Sequence, residues 1–285
     1  MIIAVASGKG GTGKTTVSTS IALSLAVQGQ EVSFLDCDVE APNAHIFLKP
    51  DLQEKRSVDL LIPHVNNEVC SGHGRCAEVC QYHAIVRLGN QTLVFPELCH
   101  GCGSCTLECP EHAISEVPEP LGTLEAGSTP DGIAFGRGLL NVGEPMAVPV
   151  IKQLKKWQPH RDNQISIWDT PPGTSCPVVE SIRGADYLVL VTEPTPFGLH
   201  DLKLAAQLAT ELSLPAGVVI NRDGVGNARV ADFCQEAGIP ILMRIPLDRE
   251  IGEGIAQGKP LVAIRPEYEA RFREMYAQIA MEVSQ

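Results

Sequence analysis

The chain has 285 residues, 44% of them hydrophobic and 20% charged, which is the composition of a folded globular protein and excludes a disordered chain. Its 22 lysines and arginines against 34 aspartates and glutamates give a net charge of −12, so nucleic acid is an unexpected partner. No apolar run reaches the roughly 18 residues of a membrane span and the N-terminus lacks the features of a signal peptide, so we expect a cytoplasmic protein.

Apolar periodicity predicts strands and helices that alternate along most of the chain. A strand over residues 2–6 leads into a glycine-rich loop and a helix over 14–27, and a second strand over 31–35 ends in acidic residues. Later strands are predicted at 165–168, 187–191, 217–220 and 241–245, with helices near 198–213, 227–237 and 248–257. This alternation is typical of an α/β fold in which helices cover a doubly wound, mostly parallel sheet.

A cysteine-rich stretch, from about residue 64 to 117, interrupts the alternation. It holds seven of the ten cysteines, and in a reducing compartment these indicate metal or redox chemistry because disulfides rarely persist there. Glycines and prolines crowd the residues that follow, to Pro145, which we interpret as a return connection with an irregular β-arm over 132–140. The predicted domains are an insert over 63–118 and a main domain formed by 1–62 and 119–285.

The glycine-rich loop matches the pattern G-x-x-x-x-G-K-[ST] and lies between a predicted strand and a predicted helix. Its backbone N–H groups can converge on phosphate oxygens at the helix N-terminus, while Lys14 reaches the outer phosphates and Thr15 ligates Mg²⁺. We therefore expect ATP or ADP with Mg²⁺ as ligands. The predicted nucleotide-binding residues of this segment are Gly8, Gly10, Gly11, Thr12, Gly13, Lys14, Thr15 and Thr16.

Lys9, at the second position of this loop, gives it the form K-G-G-x-G-K-T. A lysine in this place resembles the deviant Walker A motif of the MinD/ParA/Mrp superfamily of P-loop ATPases, to which the nitrogenase iron protein also belongs. The resemblance covers residues 1–62 and 119–285. It implies ATP hydrolysis by a homodimer that sandwiches ATP, in which Lys9 crosses the interface and acts with Lys14 in catalysis.

Three acidic residues match the switch regions of this family. Asp36 and Asp38 match the D-x-D of switch I, and Asp169, followed by Pro171-Pro172-Gly173, matches switch II. The resemblance implies that Asp38 orients the attacking water, while Asp36 and Asp169 hold Mg²⁺ directly or through its waters. Each acid could instead merely end a buried strand, but all three lie at carboxyl ends of strands, where ligands of such sheets bind.

Residues that end a later strand resemble the segment of the family that contacts adenine. These are Asn221 and Arg222, and Pro246 is placed at the border of the base.

A bacterial ferredoxin pattern occupies the insert, in the form Cys99-x2-Cys102-x2-Cys105-x3-Cys109-Pro110. Residues 70–85 and 99–114 also align as a repeat of 29 residues. The pattern predicts a 4Fe–4S cluster, in an insert of the α+β ferredoxin-like two-cluster type. Two overlapping C-x2-C pairs leave zinc as the competing metal. The ligands predicted for the first cluster are Cys80, Cys99, Cys102 and Cys105.

A second cluster site would use Cys70, Cys76 and Cys109. In the repeat register, His73 stands where Cys102 stands in the other copy. Imidazole ligates iron in some clusters, so His73 either holds the fourth iron of a 4Fe–4S cluster or that iron is absent from a 3Fe–4S cluster. A surface histidine unconnected with metal is the remaining alternative.

The three cysteines outside the insert receive separate interpretations. Cys176 lies seven residues after Asp169, at the offset of a bridging-cluster ligand in the nitrogenase iron protein, and is either a cluster or relay residue or, more simply, part of helix-cap packing. Cys37 and Cys234 lie in apolar segments and are expected to pack as small hydrophobic residues. The C-terminal helix, 267–283, is acidic, so the basic membrane anchor of MinD is missing.

The whole layout resembles MinD superfamily ATPases with an inserted ferredoxin domain. It implies a nucleotide-switched homodimer that couples ATP hydrolysis either to electron transfer or to delivery of an iron–sulfur cluster or metallocofactor. The partner would be an unidentified redox protein or apo-metalloprotein. The alternative is a positioning ATPase like MinD or ParA, whose clusters are redox-sensing or structural.

Overall fold

The computed structural model of the chain describes residues 1–89, 91–157, 164–226 and 228–284. Within these ranges the strands are β1 (Ile2–Ala6), β2 (Val32–Asp36), β3 (Asp51–Val65), β4 (Ile85–Leu88), β5 (Gln91–Val94), β6 (Ile114–Ser128), β7 (Ala134–Leu140), β8 (Ile165–Asp169), β9 (Tyr187–Thr192), β10 (Ala216–Asp223) and β11 (Ile241–Pro246). The α-helices are α1 (Lys14–Ala26), α2 (Ala44–Leu48), α3 (Arg75–Val79), α4 (Ser104–Leu107), α5 (Val148–Trp157), α6 (Cys176–Ile182), α7 (Pro196–Glu211), α8 (Arg229–Glu236), α9 (Arg249–Ala256), α10 (Leu261–Ile264) and α11 (Glu267–Val283).

A nine-stranded sheet, counted over the described residues, forms the centre of the fold, in the order β11-β10-β9-β1-β8-β2-β7-β6-β3. The first seven strands in this order run parallel, and β6 and β3 are antiparallel to their neighbours. The predicted mostly parallel α/β sheet is therefore confirmed. Because these strands run parallel to one another, the carboxyl ends of β1, β2, β8 and β9 lie at the same edge of the sheet.

Helices cover both faces of the sheet. Successive side chains of a strand point to opposite faces, so a strand that is apolar on both faces needs a covering layer on each. Ile3 and Val5 of β1 belong to one core cluster, which also takes in residues of α1, α10 and α11. Ala4 and Ala6 belong to the other, with residues of α5, α6, α7 and α8. No helix among the described residues is long and apolar enough to cross a membrane.

The edge of the sheet differs from the prediction for residues 118–145. Instead of an irregular arm over 132–140, β7 is a regular strand that pairs in parallel with β2. The projecting element is a hairpin of β3 and β6, paired from Asp51 opposite Ser128 to Val65 opposite Ile114, whereas β7 pairs with β6 only from Gly122 onward. Prolines are tolerated in this part of β6 because, within the described ranges, no strand pairs with its other edge and needs their N–H groups.

The cysteine-rich segment lies between the two strands of this hairpin. It contains α3, the small antiparallel pair β4–β5, a 3₁₀ turn over Pro96–Leu98, and α4. The two short helices begin after repeat-related glycines with left-handed backbone, Gly74 and Gly103. Ile62 of β3 packs against Ala84 and Cys99. The segment therefore rests on the hairpin that carries it.

Candidate functional site

The glycine-rich loop joins β1 to α1 and borders a cleft of about 420 Å³ at the carboxyl edge of the sheet. Gly13 has φ +94°, and a Cβ there would lie 2.2 Å from Asn221 Nδ2. Asn221 in turn donates a hydrogen bond of 2.7 Å to the carbonyl of Thr12. The loop path thus requires glycine and is fastened to β10. The predicted residues that line the cleft are Gly10, Gly11, Gly13, Lys14, Thr15, Thr16, Asp38, Asn221, Arg222 and Pro246.

The three acids predicted as switch residues lie beside Lys14 and Thr15. Asp36 and Asp169 are register partners on β2 and β8, and both are fully buried. Thr15 Oγ1 donates a hydrogen bond of 2.6 Å to Asp169 Oδ2, and Lys14 Nζ lies 3.9 Å from Asp169 Oδ1. Asp169 Oδ1 is buried and accepts no hydrogen bond from the described part of the chain. This orphaned carboxylate oxygen, beside a hydroxyl, is a donor set that fits Mg²⁺.

Burial and mutual repulsion perturb these acids. Burial, followed by the negative charge of Asp169, raises the pKa of Asp36 to about 8. Burial also raises the pKa of Asp38 to about 6 and shifts the pKa of Asp169 upward. A carboxyl whose charged form is disfavoured in this way gains from a nearby cation, because the cation compensates both burial and repulsion. The electrostatics therefore favour a metal ion among these groups.

Lys9 forms an ion pair within its own chain. Its Nζ lies 3.3 Å from Glu193 Oε2, and the other carboxylate oxygen of Glu193 contacts Arg222 Nη1 at 2.5 Å. Glu193 follows β9 directly and is almost completely buried. The sequence analysis missed this residue, although the acid after a buried strand is the same signal that identified Asp169.

An apolar wall on the far side of the cleft was also missed. It follows Pro246 and continues into α9, whose first turn is capped by Asp248 through the amides of Glu250 and Ile251. Apolar side chains beside polar groups suit a purine ring. The lining residues of this wall are Leu247, Ile251, Gly252, Ile255 and Ala256.

The insert brings its first four predicted ligands around one pocket. Cys80, Cys99, Cys102 and Cys105 all line it. Burial raises the pKa of the Cys99 thiol, and the neighbouring thiols of Cys102 and Cys80 add to that shift. Gly101 N–H donates to Cys99 Sγ at 3.4 Å. Converging thiols that accept backbone hydrogen bonds fit the donor set of an iron–sulfur cluster.

The second set of thiols also converges. Burial raises the pKa of the Cys76 thiol, and the nearby thiols of Cys70 and Cys109 raise it further. A ring nitrogen of His73, Cys109 Sγ and a carboxylate oxygen of Glu111 lie within 4.8 Å of one another. The structure therefore places His73 beside this group, together with Glu111, which the sequence analysis did not select.

The repeat is visible in the backbone around the thiols. His83 and His112, which are equivalent in the 29-residue register, both adopt left-handed conformations, with φ +53° and +52°. The next amides, of Ala84 and Ala113, each donate a hydrogen bond of 3.3 Å to the sulfur four residues earlier, on Cys80 and Cys109 respectively. Such strain at matching positions is expected where the surrounding site requires it.

The remaining cysteines are placed separately. Cys37 and Cys234 are buried in one of the main cores, among hydrophobic side chains. Cys176 is exposed at the first position of α6, so it does not pack beneath a helix cap as the simpler interpretation expected.

Comparisons with known proteins identify the family. The model of the CobQ/CobB/MinD/ParA nucleotide binding domain matches residues 3–261. The chain belongs to this family. As a MinD/ParA-type protein with a P-loop it is an ATPase, in agreement with the glycine-rich loop and the acids around it.

Three proteins similar to this MinD/ParA-type ATPase share between 19% and 29% sequence identity with it. An uncharacterized protein of Methanocaldococcus jannaschii is 29% identical over 260 residues, 91% of this chain and 90% of that protein. An iron–sulfur cluster carrier protein of Aquifex aeolicus is 26% identical over 302 residues, 100% of this chain and 67% of that protein. The septum site-determining protein MinD of Pyrococcus horikoshii, solved with Mg-ADP, has a TM-score of 0.59 at 19% identity, with 98% of this chain and 95% of that chain covered.

Proposed function

We propose that this ATPase is a nucleotide-switched homodimer that couples ATP hydrolysis to electron transfer through two resident iron–sulfur clusters. The observation that carries the proposal is the convergence of seven thiols, four of them buried, in two groups at the tip of the β3–β6 hairpin. The ATPase domain is formed by 1–62 and 119–285, and the ferredoxin-type domain by 63–118.

The nucleotide site would work by positioning and charge neutralisation, as phosphoryl transfer requires. The loop amides and Lys14 hold the phosphates, and Thr15, Asp36 and Asp169 hold the Mg²⁺ of the MgATP substrate. Asp38 orients the attacking water. With a pKa of about 6 its carboxylate is largely ionised at neutral pH, so it can accept a hydrogen bond from that water. Asn221, Arg222 and the apolar wall after Pro246 receive the base.

Dimerisation would require Lys9 to change partner. In the single chain its ammonium faces Glu193, and in the ATP-bound dimer we propose that it contacts phosphates bound by the other subunit. The exchange is feasible because the ion pair is partly exposed, with 35% of the Lys9 side chain accessible. ATP then supplies the anionic charge that Glu193 supplies in its absence.

The cysteine groups would retain their clusters during turnover. When bound, the clusters supply one-electron redox chemistry at potentials set by ligands, hydrogen bonds and burial. Cys76, Cys99, Cys105 and Cys109 are each less than a tenth exposed. Ligands that are withdrawn from solvent favour a resident cofactor over cargo. The first site is all thiolate, and the second has three thiolates with His73 as its sequence-based fourth ligand.

A second candidate function is delivery of a cluster to an apoprotein. It is favoured by the exposure of Cys102, which opens one corner of the first site to solvent. Relatives named iron–sulfur cluster carrier protein point in the same direction. A positioning ATPase, with structural or redox-sensing clusters, is the third outcome that an experiment must separate.

The test uses the full chain, loaded anaerobically with iron and sulfide, with and without MgATP. We expect MgATP to shift a cluster potential while both clusters remain bound. The matched control is Lys14→Gln, which should keep its clusters and lose the shift. Loss of iron and sulfide to an apo-ferredoxin would favour delivery, and neither a shift nor a loss would favour positioning.

A further inference from the structure

Each group of thiols has a loop with two glycines, and the backbone of these loops is the same in both copies of the repeat. Gly72 and Gly74 have φ +73° and +85°. Their equivalents in the 29-residue register, Gly101 and Gly103, have φ +62° and +72°. Because the two loops follow the same path, differences between the two sites come from the side chains that lie against them.

Arg87 lies against the glycine loop of the second site. A Cβ built on Gly72 would lie 3.1 Å from Arg87 Nη2, and one built on Gly74 would lie 3.8 Å from Arg87 Cδ. Arg87 is also the partner of Thr92 across the β4–β5 pair, so the two side chains share one face of that pair. Thr92 Oγ1 lies 3.6 Å from Cys70 Sγ. Two separate observations therefore place the guanidinium group beside the second group of thiols.

Glu116 occupies the same place at the first site with the opposite charge. The 29-residue register aligns Glu116 with Arg87. A Cβ built on Gly103 would lie 3.0 Å from Glu116 Oε1. After burial and the neighbouring thiols, the charge of Glu116 also raises the pKa of the Cys99 thiol. The repeat thus carries a cation beside one set of thiols and an anion beside the other.

Neither of these charges has an ion-pair partner in the part of the chain that the structure describes. Arg87 Nε donates a hydrogen bond of 3.0 Å to the carbonyl of Gly89. Glu116 Oε1 accepts one of 3.4 Å from Thr106 Oγ1. Both partners are uncharged, so the charges of Arg87 and Glu116 are not cancelled locally and act on their surroundings. Two other acids of the insert have charged or imidazole partners: Glu111 contacts His73, and Glu108 contacts Arg75.

We propose that Arg87 and Glu116 tune the two clusters in opposite directions. Arg87 raises the reduction potential of the cluster at the second site, and Glu116 lowers that of the cluster at the first. Reduction adds one negative charge to a cluster, which a nearby cation stabilises and a nearby anion destabilises. Both residues therefore favour a single electron on the second cluster over the first. The inference rests on the proposed function, since it requires resident clusters.

The test is a redox titration of the cluster-loaded full chain with dithionite and mediators, followed by electron paramagnetic resonance. Cys102→Ala, which removes one thiol from the first site, assigns the signals to the two sites. Arg87→Gln should lower the potential of the second cluster, and Glu116→Gln should raise that of the first. Each shift should correspond to about a two- to fivefold change in the ratio of reduced to oxidised cluster, as for other solvent-exposed charges. The other cluster should shift less, because screening weakens the effect with distance.

Charge-conserving variants separate the effect of the charge from that of the contact. Arg87→Lys and Glu116→Asp should titrate close to wild type, whereas Arg87→Glu should shift the second potential further than Arg87→Gln does. Glu211→Gln removes a negative charge from the exposed end of α7, in the main domain, and should leave both potentials unchanged. If a glutamine variant does not retain its cluster, Arg87→Ala and Glu116→Ala provide the same readout.

Two results would overturn the inference while leaving the proposed function intact. One is an unchanged potential in either neutral variant when both clusters are bound. The other is an Arg87→Lys chain that shifts as far as Arg87→Gln, which would assign the effect to the contact and not to the charge. Potentials that depend on these charges but do not respond to MgATP would instead refute the proposed coupling alone. A reconstituted wild-type chain without acid-labile sulfide would refute both.

Discussion

Lys9 Nζ lies 3.3 Å from Glu193 Oε2 of the same chain, although the resemblance of the loop implies a lysine that reaches across a dimer. Glu193 also binds Arg222, at the border of the nucleotide cleft. The buried carboxylate of Glu193 thus pairs with two cationic side chains, Lys9 and Arg222, beside the nucleotide cleft. In the proposed ATP-bound dimer, where Lys9 contacts the other subunit, the Lys9–Glu193 pair would separate.

Replacing this carboxylate should favour the dimer. Glu193→Gln removes the charge that holds Lys9, and we expect a severalfold lower dissociation constant for the ATP-dependent dimer, since a partly exposed ion pair contributes about 1 kcal/mol at most. Sedimentation velocity with MgATP, in an Asp38→Ala background that slows hydrolysis, measures the effect. Glu211→Gln, on the exposed end of α7, is the control. A weaker dimer for Glu193→Gln would contradict this role.

The loop should tolerate a methyl group at one glycine and not at another. Gly13→Ala places a Cβ 2.2 Å from Asn221 Nδ2 at φ +94°, so we expect a loss of about 2 kcal/mol or more in the free energy of unfolding. The Cβ of Gly10→Ala meets no atom of the described residues within 4 Å, so this variant should change the free energy of unfolding by less than about 0.5 kcal/mol. Urea denaturation without nucleotide compares them. Equal stabilities would mean that the loop path is not fixed as described.

Thr15 should contribute to ADP binding chiefly when Mg²⁺ is present. Thr15→Ala removes the hydroxyl that donates to Asp169 and is a proposed Mg²⁺ ligand, and we expect MgADP affinity to fall by about ten- to a hundredfold. Calorimetry with ADP in the presence and absence of Mg²⁺ measures the change, and Thr15→Ser should restore most of it. The same loss in EDTA would assign the effect to the loop rather than to the metal.

His45 should make the protein less stable at acidic pH. Burial, and then the positive charge of Arg137, lower its pKa from the ordinary value of 6.5, and its buried Nδ1 has no hydrogen-bond partner among the residues that the structure describes. The unfolded chain therefore binds more protons than the folded chain near and below pH 6.5, so stability falls as the pH falls through that range. His45→Gln should lose less Tm than wild type between pH 7.5 and 5.5. Identical losses would exclude this residue as a cause.

Much of the main domain was predictable because its sequence signals are local. A buried parallel strand such as β8 is mostly apolar, and the acid that ends it, Asp169, marks the edge where ligands bind. The loop residues follow from spacing alone. The spacing of the cysteines likewise predicts two groups of thiols. The structure places Cys80, Cys99, Cys102 and Cys105 on one pocket, and Cys70 and Cys109 near Cys76.

The hairpin and two of the acids could not be predicted in the same way. β3 lies at the edge of the sheet and is largely exposed on both faces, so it lacks the apolar alternation that identifies a strand. Glu193 and Glu111 acquire their roles only through tertiary neighbours. Glu193 meets the loop because β9 lies beside β1, and Glu111 meets His73 because the two repeat copies pack together.

The β3–β6 hairpin connects the main sheet to the cysteine-rich segment. Its bulge at Val58/Asp59 lies where the last pairing with β7 ends, and the seven or eight residues beyond it span about 25 Å. α2, which follows the acids of switch I, ends at Leu48, just before β3 begins at Asp51. A tilt of about 5° at the bulge displaces the far end of this span by about 2 Å. Such a tilt would move the cysteine-rich segment relative to the sheet that borders the nucleotide cleft.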